Sequence, residues 1–131
     1  DITQDKVPLT NKMLLDVPCS GTGVMSKKPD IKWRRSVEDI LEMHLLQRKI
    51  LWSATQFIKP GGVIIYSTCS LEHEENWMVI DAFLKSHQNY SIENAKDYLP
   101  KKYVDENGAM FTSPSVHEID GAYAIRLKRD E

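Results

Sequence analysis

Two apolar runs, each closing on a cysteine, frame the chain. The first is Met13-Leu14-Leu15-Asp16-Val17-Pro18-Cys19-Ser20-Gly21, and the second is Val63-Ile64-Ile65-Tyr66-Ser67-Thr68-Cys69-Ser70. Neither alternates cleanly between apolar and polar, so both read as strands buried in a parallel sheet. The first strand is expected over Lys12 to Val17, because Pro18 cannot donate to a ladder. The second follows Lys59-Pro60-Gly61-Gly62, which reads as a breaker. Between them lies a helical pattern from Val37 to Ile58. Ser36 with Asp39 forms a capping box at its start. Ile40, Leu41, Leu45, Ile50, Leu51, Ala54, Phe57 and Ile58 make a wide apolar stripe fit to cover a sheet. His44 and Gln47 fall within that stripe and are read as core or rim residues. Strand, helix and strand form a parallel crossover. Neighbouring strand axes lie about 4.8 Å apart, so both cysteines are expected at one carboxyl edge, where open α/β sheets bind ligands.

Downstream, Ser70 is expected to cap a second helix. Glu72, Glu74 and Glu75 would crowd its first turn, where the helix dipole favours negative charge. Trp77, Ile80, Phe83 and Leu84 recur at helical spacing, and His87-Gln88-Asn89 ends the run. Residues 90–107 read as loop, with a short strand or helical turn around Asp97 to Leu99. Met110 to Ser113 is a candidate strand broken by Pro114. Asp120-Gly121 is a turn signal, and Ala122 to Leu127 reads as the closing strand.

The 131 residues suit one domain or a piece of one. The net charge of −2 argues against a generally basic nucleic-acid binder. Positive charge is local instead: Lys27, Lys28, Lys32, Arg34 and Arg35 surround Trp33, in a loop that is either simply solvated or a phosphate-contacting surface. No apolar run approaches the roughly 20 residues that span a bilayer, and a cytoplasmic protein without membrane contact is expected. That setting argues against a structural disulfide between the two cysteines. Neither cysteine has a second Cys or His at the short spacings of a zinc site, so no metal is expected. Ser20-Gly21-Thr22-Gly23 is a permissive turn where backbone can approach a ligand, but no Gly-Lys-Ser/Thr follows to make it a phosphate loop.

Read in order, Asp16-Val17-Pro18-Cys19-Ser20-Gly21-Thr22-Gly23, Pro29-Asp30-Ile31-Lys32-Trp33, Lys59-Pro60-Gly61-Gly62, Tyr66-Ser67-Thr68-Cys69-Ser70-Leu71 with Glu74-Glu75-Asn76, and Asp120-Gly121 closely resemble the Sun-type RNA (cytosine-5-)-methyltransferases, the RsmB-like and NSUN-like enzymes. The resemblance covers nearly the whole chain. It implies an α/β, Rossmann-like fold that uses S-adenosyl-L-methionine, with a mostly parallel sheet and an antiparallel last strand. It also implies that residues 1–131 are the carboxyl-terminal part of that catalytic domain. The first strands and the glycine loop for the cofactor are not in this sequence, and the chain alone is expected to be inactive.

The resemblance assigns Cys69 as the nucleophile that adds to carbon 6 of cytosine. Cys19 serves the release step, and Asp16 lies near both cofactor and base. Asp16, Pro18 and Asp1 are the expected cofactor contacts. Lys28, Lys32, Arg34 and Arg35 are the expected contacts to an RNA partner, ribosomal or transfer RNA. Cys69 is further expected at the amino terminus of the helix after Ser70, where its thiolate would be favoured. Two other readings stand beside this one. A cysteine hydrolase would pair Cys69 with His44, His73, His87 or His117. A non-catalytic RNA-binding remnant would need neither thiol.

Overall fold

The computed structural model describes every residue except 6, 29 and 31–35. Strand β1, Thr10–Asp16, pairs in parallel with β2, Ile58–Thr68, in the register Leu14↔Ile65 and Asp16↔Ser67. The expected crossover is therefore present, and helix α1, Val37–Ala54, makes it. Its capping box is complete: Asp39 N–H donates to Ser36 Oγ at 3.2 Å, and Ser36 N–H donates to the Asp39 carboxylate at 2.7 Å.

After β2 come helix α2, Trp77–Ser86, strand β3, Tyr90–Glu93, strand β4, Met110–Thr112, a single-turn helix α3, Pro114–His117, and strand β5, Ala122–Arg129. The sheet order is β1-β2-β5-β3, with β4 also on β5. β5 is antiparallel to β2, β3 and β4. It follows that β1, β2, β3 and β4 run one way and only the last strand opposes them, as the mostly parallel sheet with an antiparallel last strand requires.

Both long helices cover one face of the sheet. Leu51 and Ala54 of α1 and Val79, Ile80 and Phe83 of α2 join Leu15, Ile64, Tyr66, Ile125 and Leu127 in one core. The aromatic end of this core is ordered by Phe83, stacked on His87 at 4.5 Å and edge-on to Tyr90 at 5.1 Å.

Four expectations are corrected. Helix α1 ends at Ala54 rather than Ile58: a 3-10 turn, Thr55–Phe57, follows, and Ile58 already pairs with Thr10. The Lys-Pro-Gly-Gly segment does not precede β2 but bulges within it, since the register jumps from Thr10↔Ile58 to Lys12↔Val63. Gly61 takes φ 75° there, a left-handed conformation that suits glycine. The apolar stripe of α1 is only partly used, because Leu41 and Leu45 stay 49% and 63% exposed while Gln47 is fully buried. Finally, residues 90–107 contain strand β3, and the turn expected near Asp97 is a 3-10 turn at Ala95–Asp97.

Candidate active site

The parallel pairing of β1 and β2 brings both cysteines to one end of the sheet. Val17 N–H continues the ladder to Ser67 O at 3.1 Å, and then Pro18 stops it. Beyond that point the sulfurs of Cys19 and Cys69 lie 3.1 Å apart, and Cys69 N–H points to the Cys19 sulfur at 3.4 Å. Both are free thiols, half-buried. The test set by the sequence, that the two thiols meet at one rim, is met.

Backbone holds the two loops together. Gly23 N–H donates to Cys69 O at 2.9 Å, and Gly121 N–H donates to Gly23 O at 2.7 Å. A Cβ on Gly23 would sit 2.6 Å from the carbonyl oxygens of both Cys69 and Gly121. Glycine is therefore required at 23 by close approach of three chain segments. Thr22 Oγ1 accepts Leu71 N–H at 2.9 Å, adding a side-chain tie between the same loops.

Beneath the thiols lies a buried polar cluster centred on Glu75. Its carboxyl accepts from Ser20 N–H at 2.7 Å, Ser20 Oγ at 2.5 Å, Gln47 Nε2 at 3.1 Å and the Ser70 hydroxyl. Glu75, Ser20, Ser70 and Gln47 are all fully buried. Tyr66 Oη donates to Glu75 O at 2.7 Å, and burial pushes the phenol's pKa up, so it remains a donor. Glu72, Glu74 and Glu75 are expected to crowd the first turn of a helix; Glu75 instead ties the two cysteine loops together. The spacing of Cys69, Ser70 and Glu75 contained it, but nothing local marks a carboxyl that is buried by partners elsewhere in the chain.

The expected helix terminus at Cys69 is not there. Residues 70–72 are irregular, a 3-10 turn spans His73–Glu75, and α2 starts only at Trp77. Ser70 does accept Glu72 N–H at 3.0 Å, but this closes a turn rather than capping a helix. The support for the Cys69 loop comes from the bonds just described. Cys19 is perturbed: burial, then its hydrogen bond to Cys69, pushes its pKa from 9.0 to about 12. Cys19 therefore keeps its proton near neutral pH.

Asp16 and Pro18 stand exposed at the same rim. The Asp16 carboxylate accepts from Ser67 Oγ at 3.1 Å, across the β1–β2 pair. Pro18 O turns inward to accept Gln47 Nε2 at 2.9 Å. Asp1 is engaged in a turn of its own, taking Thr3 N–H and the Thr3 hydroxyl on Oδ1 at 2.9 and 2.8 Å. Lys28 is exposed, while Lys32, Arg34 and Arg35, with Trp33, lie outside the described residues. Lys27 is committed to Asp120, at 2.6 Å.

The histidines bond elsewhere: His44 Nδ1 to Glu74 O at 2.6 Å, His87 to Ser86 Oγ at 3.0 Å, and His117 to Ser113 N and Lys102 O. His73 lines an open cleft with Trp77 and Phe111. Among the described residues no group of three His, Cys, Asp or Glu is placed to hold a metal, and no helix is long and apolar enough to cross a membrane.

The chain is similar to ribosomal RNA small subunit methyltransferase B of Vibrio cholerae, 48% identical over 119 residues that cover 91% of this chain and 26% of that protein. It is 33% identical to the probable ribosomal RNA small subunit methyltransferase B of a Synechocystis species, over 98% of this chain and 30% of the relative. Among solved structures it superposes on NSun6 from Pyrococcus horikoshii with SFG at a TM-score of 0.83 and 26% identity, covering the whole of this chain and 33% of that one. It thus spans roughly a quarter to a third of these proteins. The family model described as 16S rRNA methyltransferase RsmB/F matches residues 1–128, and the chain therefore belongs to the RsmB/F methyltransferase family.

Proposed function

We propose that this chain is the carboxyl-terminal part of the catalytic domain of an RNA methyltransferase, and that its rim methylates carbon 5 of cytosine through a covalent adduct on Cys69. The observation that carries the reading is the 3.1 Å approach of two free thiols at one strand end. The substrate class is ribosomal RNA, the molecule named for the relatives.

Carbon 5 of cytosine is a weak nucleophile. Addition of the Cys69 sulfur to carbon 6 forms one S–C bond and moves the ring's electrons toward carbon 5. Asp16 hydrogen-bonds the ring nitrogen that gains a proton in this step. S-adenosyl-L-methionine, when bound, supplies an electrophilic methyl group. The site suits that group: Asp16 offers an exposed carboxylate to a cationic ligand, and Pro18 stands beside it. Asp1 is the third expected contact. Once carbon 5 carries the methyl, Cys19, having given up its own proton to solvent, takes the remaining carbon-5 proton; the S–C6 bond breaks, Cys69 leaves as thiolate, and the ring nitrogen returns its proton to solvent.

The resting electrostatics favour this division of labour. Besides burial, Cys19 is held protonated by the sulfur of Cys69, through its hydrogen bond and its charge. Bonding of Cys69 to carbon 6 removes its charge, while burial, the largest cause, persists and the backbone N–H groups of Cys69 and Gly21 continue to favour a Cys19 thiolate. Lys28, with Lys32, Arg34 and Arg35, supplies phosphate contacts.

The test is a chimera in which this chain replaces the matched segment of the Vibrio cholerae relative, incubated with S-adenosyl-L-methionine and RNA containing 5-fluorocytidine. Fluorine blocks loss of the carbon-5 substituent, so a complex that survives denaturation is expected, mapped to Cys69 and absent in Cys69→Ala. An adduct that persists in Cys69→Ala, or none with the unchanged chain in a folded chimera, would overturn the proposal.

A further inference from the structure

The feature that the reaction does not use is the buried carboxyl of Glu75. We propose that Glu75 is a positioning residue for the thiol pair, one clamp that fixes both cysteine loops and thereby the distance between the two sulfurs. This rests on the two-thiol reading above.

The geometry is specific. Ser20 and Ser70 are the residues that immediately follow Cys19 and Cys69, and both donate their hydroxyls to Glu75. Their oxygens lie 3.2 Å apart, so one carboxyl oxygen serves both loops. The other oxygen takes Ser20 N–H, which fixes backbone as well as side chain. The clamp is itself anchored: Gln47 reaches from α1 to both Glu75 and Pro18 O, and Tyr66 holds the Glu75 backbone from β2. A carboxyl with no exposed surface is a costly way to fill a core, because burying it requires every donor to be supplied. An apolar side chain would fill the same volume but could not bind a hydroxyl from each loop. What the carboxyl adds is therefore placement of the loops. The placed groups are the two sulfurs, whose joint action on one pyrimidine depends on placement to within about 1 Å.

The experiment uses dibromobimane, a two-armed alkylator that becomes fluorescent only when both arms have reacted. It is applied to the 131-residue chain and to its Glu75→Ala, Glu75→Gln and Ser70→Ala variants, with the single-armed reagent as control. The unchanged chain should bridge Cys19 to Cys69 within one molecule. Glu75→Ala should slow bridging about tenfold relative to single-arm alkylation. Glu75→Gln should restore most of it, since its amide oxygen can accept from Ser20 N–H and Gln47 while its NH2 group donates to the two hydroxyls. Ser70→Ala, which cuts one arm of the clamp, should fall between, and it keeps the test decisive if Glu75→Ala fails to fold by circular dichroism.

In the chimera, Glu75→Gln should keep the RNA KM, while Ser70→Ala lowers kcat with KM unchanged. Bridging in folded Ser70→Ala and Glu75→Ala at the unchanged rate, or a Glu75→Gln variant as impaired as Glu75→Ala, would overturn the clamp. Because bridging involves no methyl transfer, that result is separable from a failure of Cys69 to form the RNA adduct.

Discussion

On one face of the sheet Ile64, Tyr66, Ile125 and Leu127 are sealed beneath α1 and α2; on the other, Leu14 keeps 66% of its surface exposed in a row with Ile65 and Arg126. Both rows come from the same strands. The apolar run Met13-Leu14-Leu15 supplies alternate residues to the two faces, as a strand suited to burial on both sides does. The row that ends in the site is on the open face: Asp16 lies opposite Ser67, which lies opposite Ala124. The covered face is held by apolar contact with many neighbours. The open face and the rim are held by hydrogen bonds between named pairs. Substitutions on the covered face should therefore change stability, and those on the rim should change chemistry first.

The widest separation is expected from Cys69. Cys69→Ala should abolish RNA adduct formation in the chimera while the urea unfolding midpoint of the chain moves little; a residual adduct would break the division between face and rim. Next comes Phe83→Ala on the covered face, which empties a fully buried site and should cost about 3–5 kcal/mol in urea unfolding. Gly23→Ala tests where the regions join. Its Cβ would collide with two carbonyl oxygens, so about 1–3 kcal/mol of stability should be lost, together with bimane bridging of the thiols.

The pH dependence is smaller. The folded pKa of Cys19 is raised from 9.0 to about 12, so the folded state holds this proton more tightly than the unfolded state does. The stability this contributes is complete below pH 9 and is lost as pH rises toward 12. Unfolding midpoints measured between pH 8 and pH 10.5 should fall less steeply in Cys19→Ser than in the unchanged chain (bounds of about this size suit a thiol titration). The smallest effect belongs to the open face: Leu14→Ser should move stability by no more than about 0.5 kcal/mol. A larger loss would mean that this face is not open in solution.

Much of the frame was legible along the chain. The two strands, their order and their cysteine ends follow from apolar runs closed by Pro18 and by small polar residues. The α1 cap follows from Ser36 and Asp39, whose partners are neighbours in sequence. What was not legible depends on distant partners or on exceptions to propensity. Glu75 is buried by Ser20 and Gln47, 55 and 28 residues away. Lys-Pro-Gly-Gly reads as a terminator, and only pairing with β1 turns it into a bulge inside β2. Strand β3 is four residues long, Tyr-Ser-Ile-Glu, and gains its identity from Arg126 to Arg129 of the neighbouring strand. The helix expected after Ser70 failed for a related reason. Ser70 and Glu75 are engaged with the Cys19 loop, and helical geometry is delayed until Trp77.

The placement of β5 has a consequence for biogenesis. Strand β5 is synthesised after β1 to β4 yet is inserted between β2 and β3, and the Gly121 that leads into it docks on the Cys19 loop. Until it emerges, β2 presents an unpaired apolar edge and the nascent chain is most prone to aggregate. The surroundings of the two sulfurs are therefore completed only once β5 is in place, and a polypeptide cut short before Ala122 would retain both sulfurs and lack the strand that closes the sheet beside them.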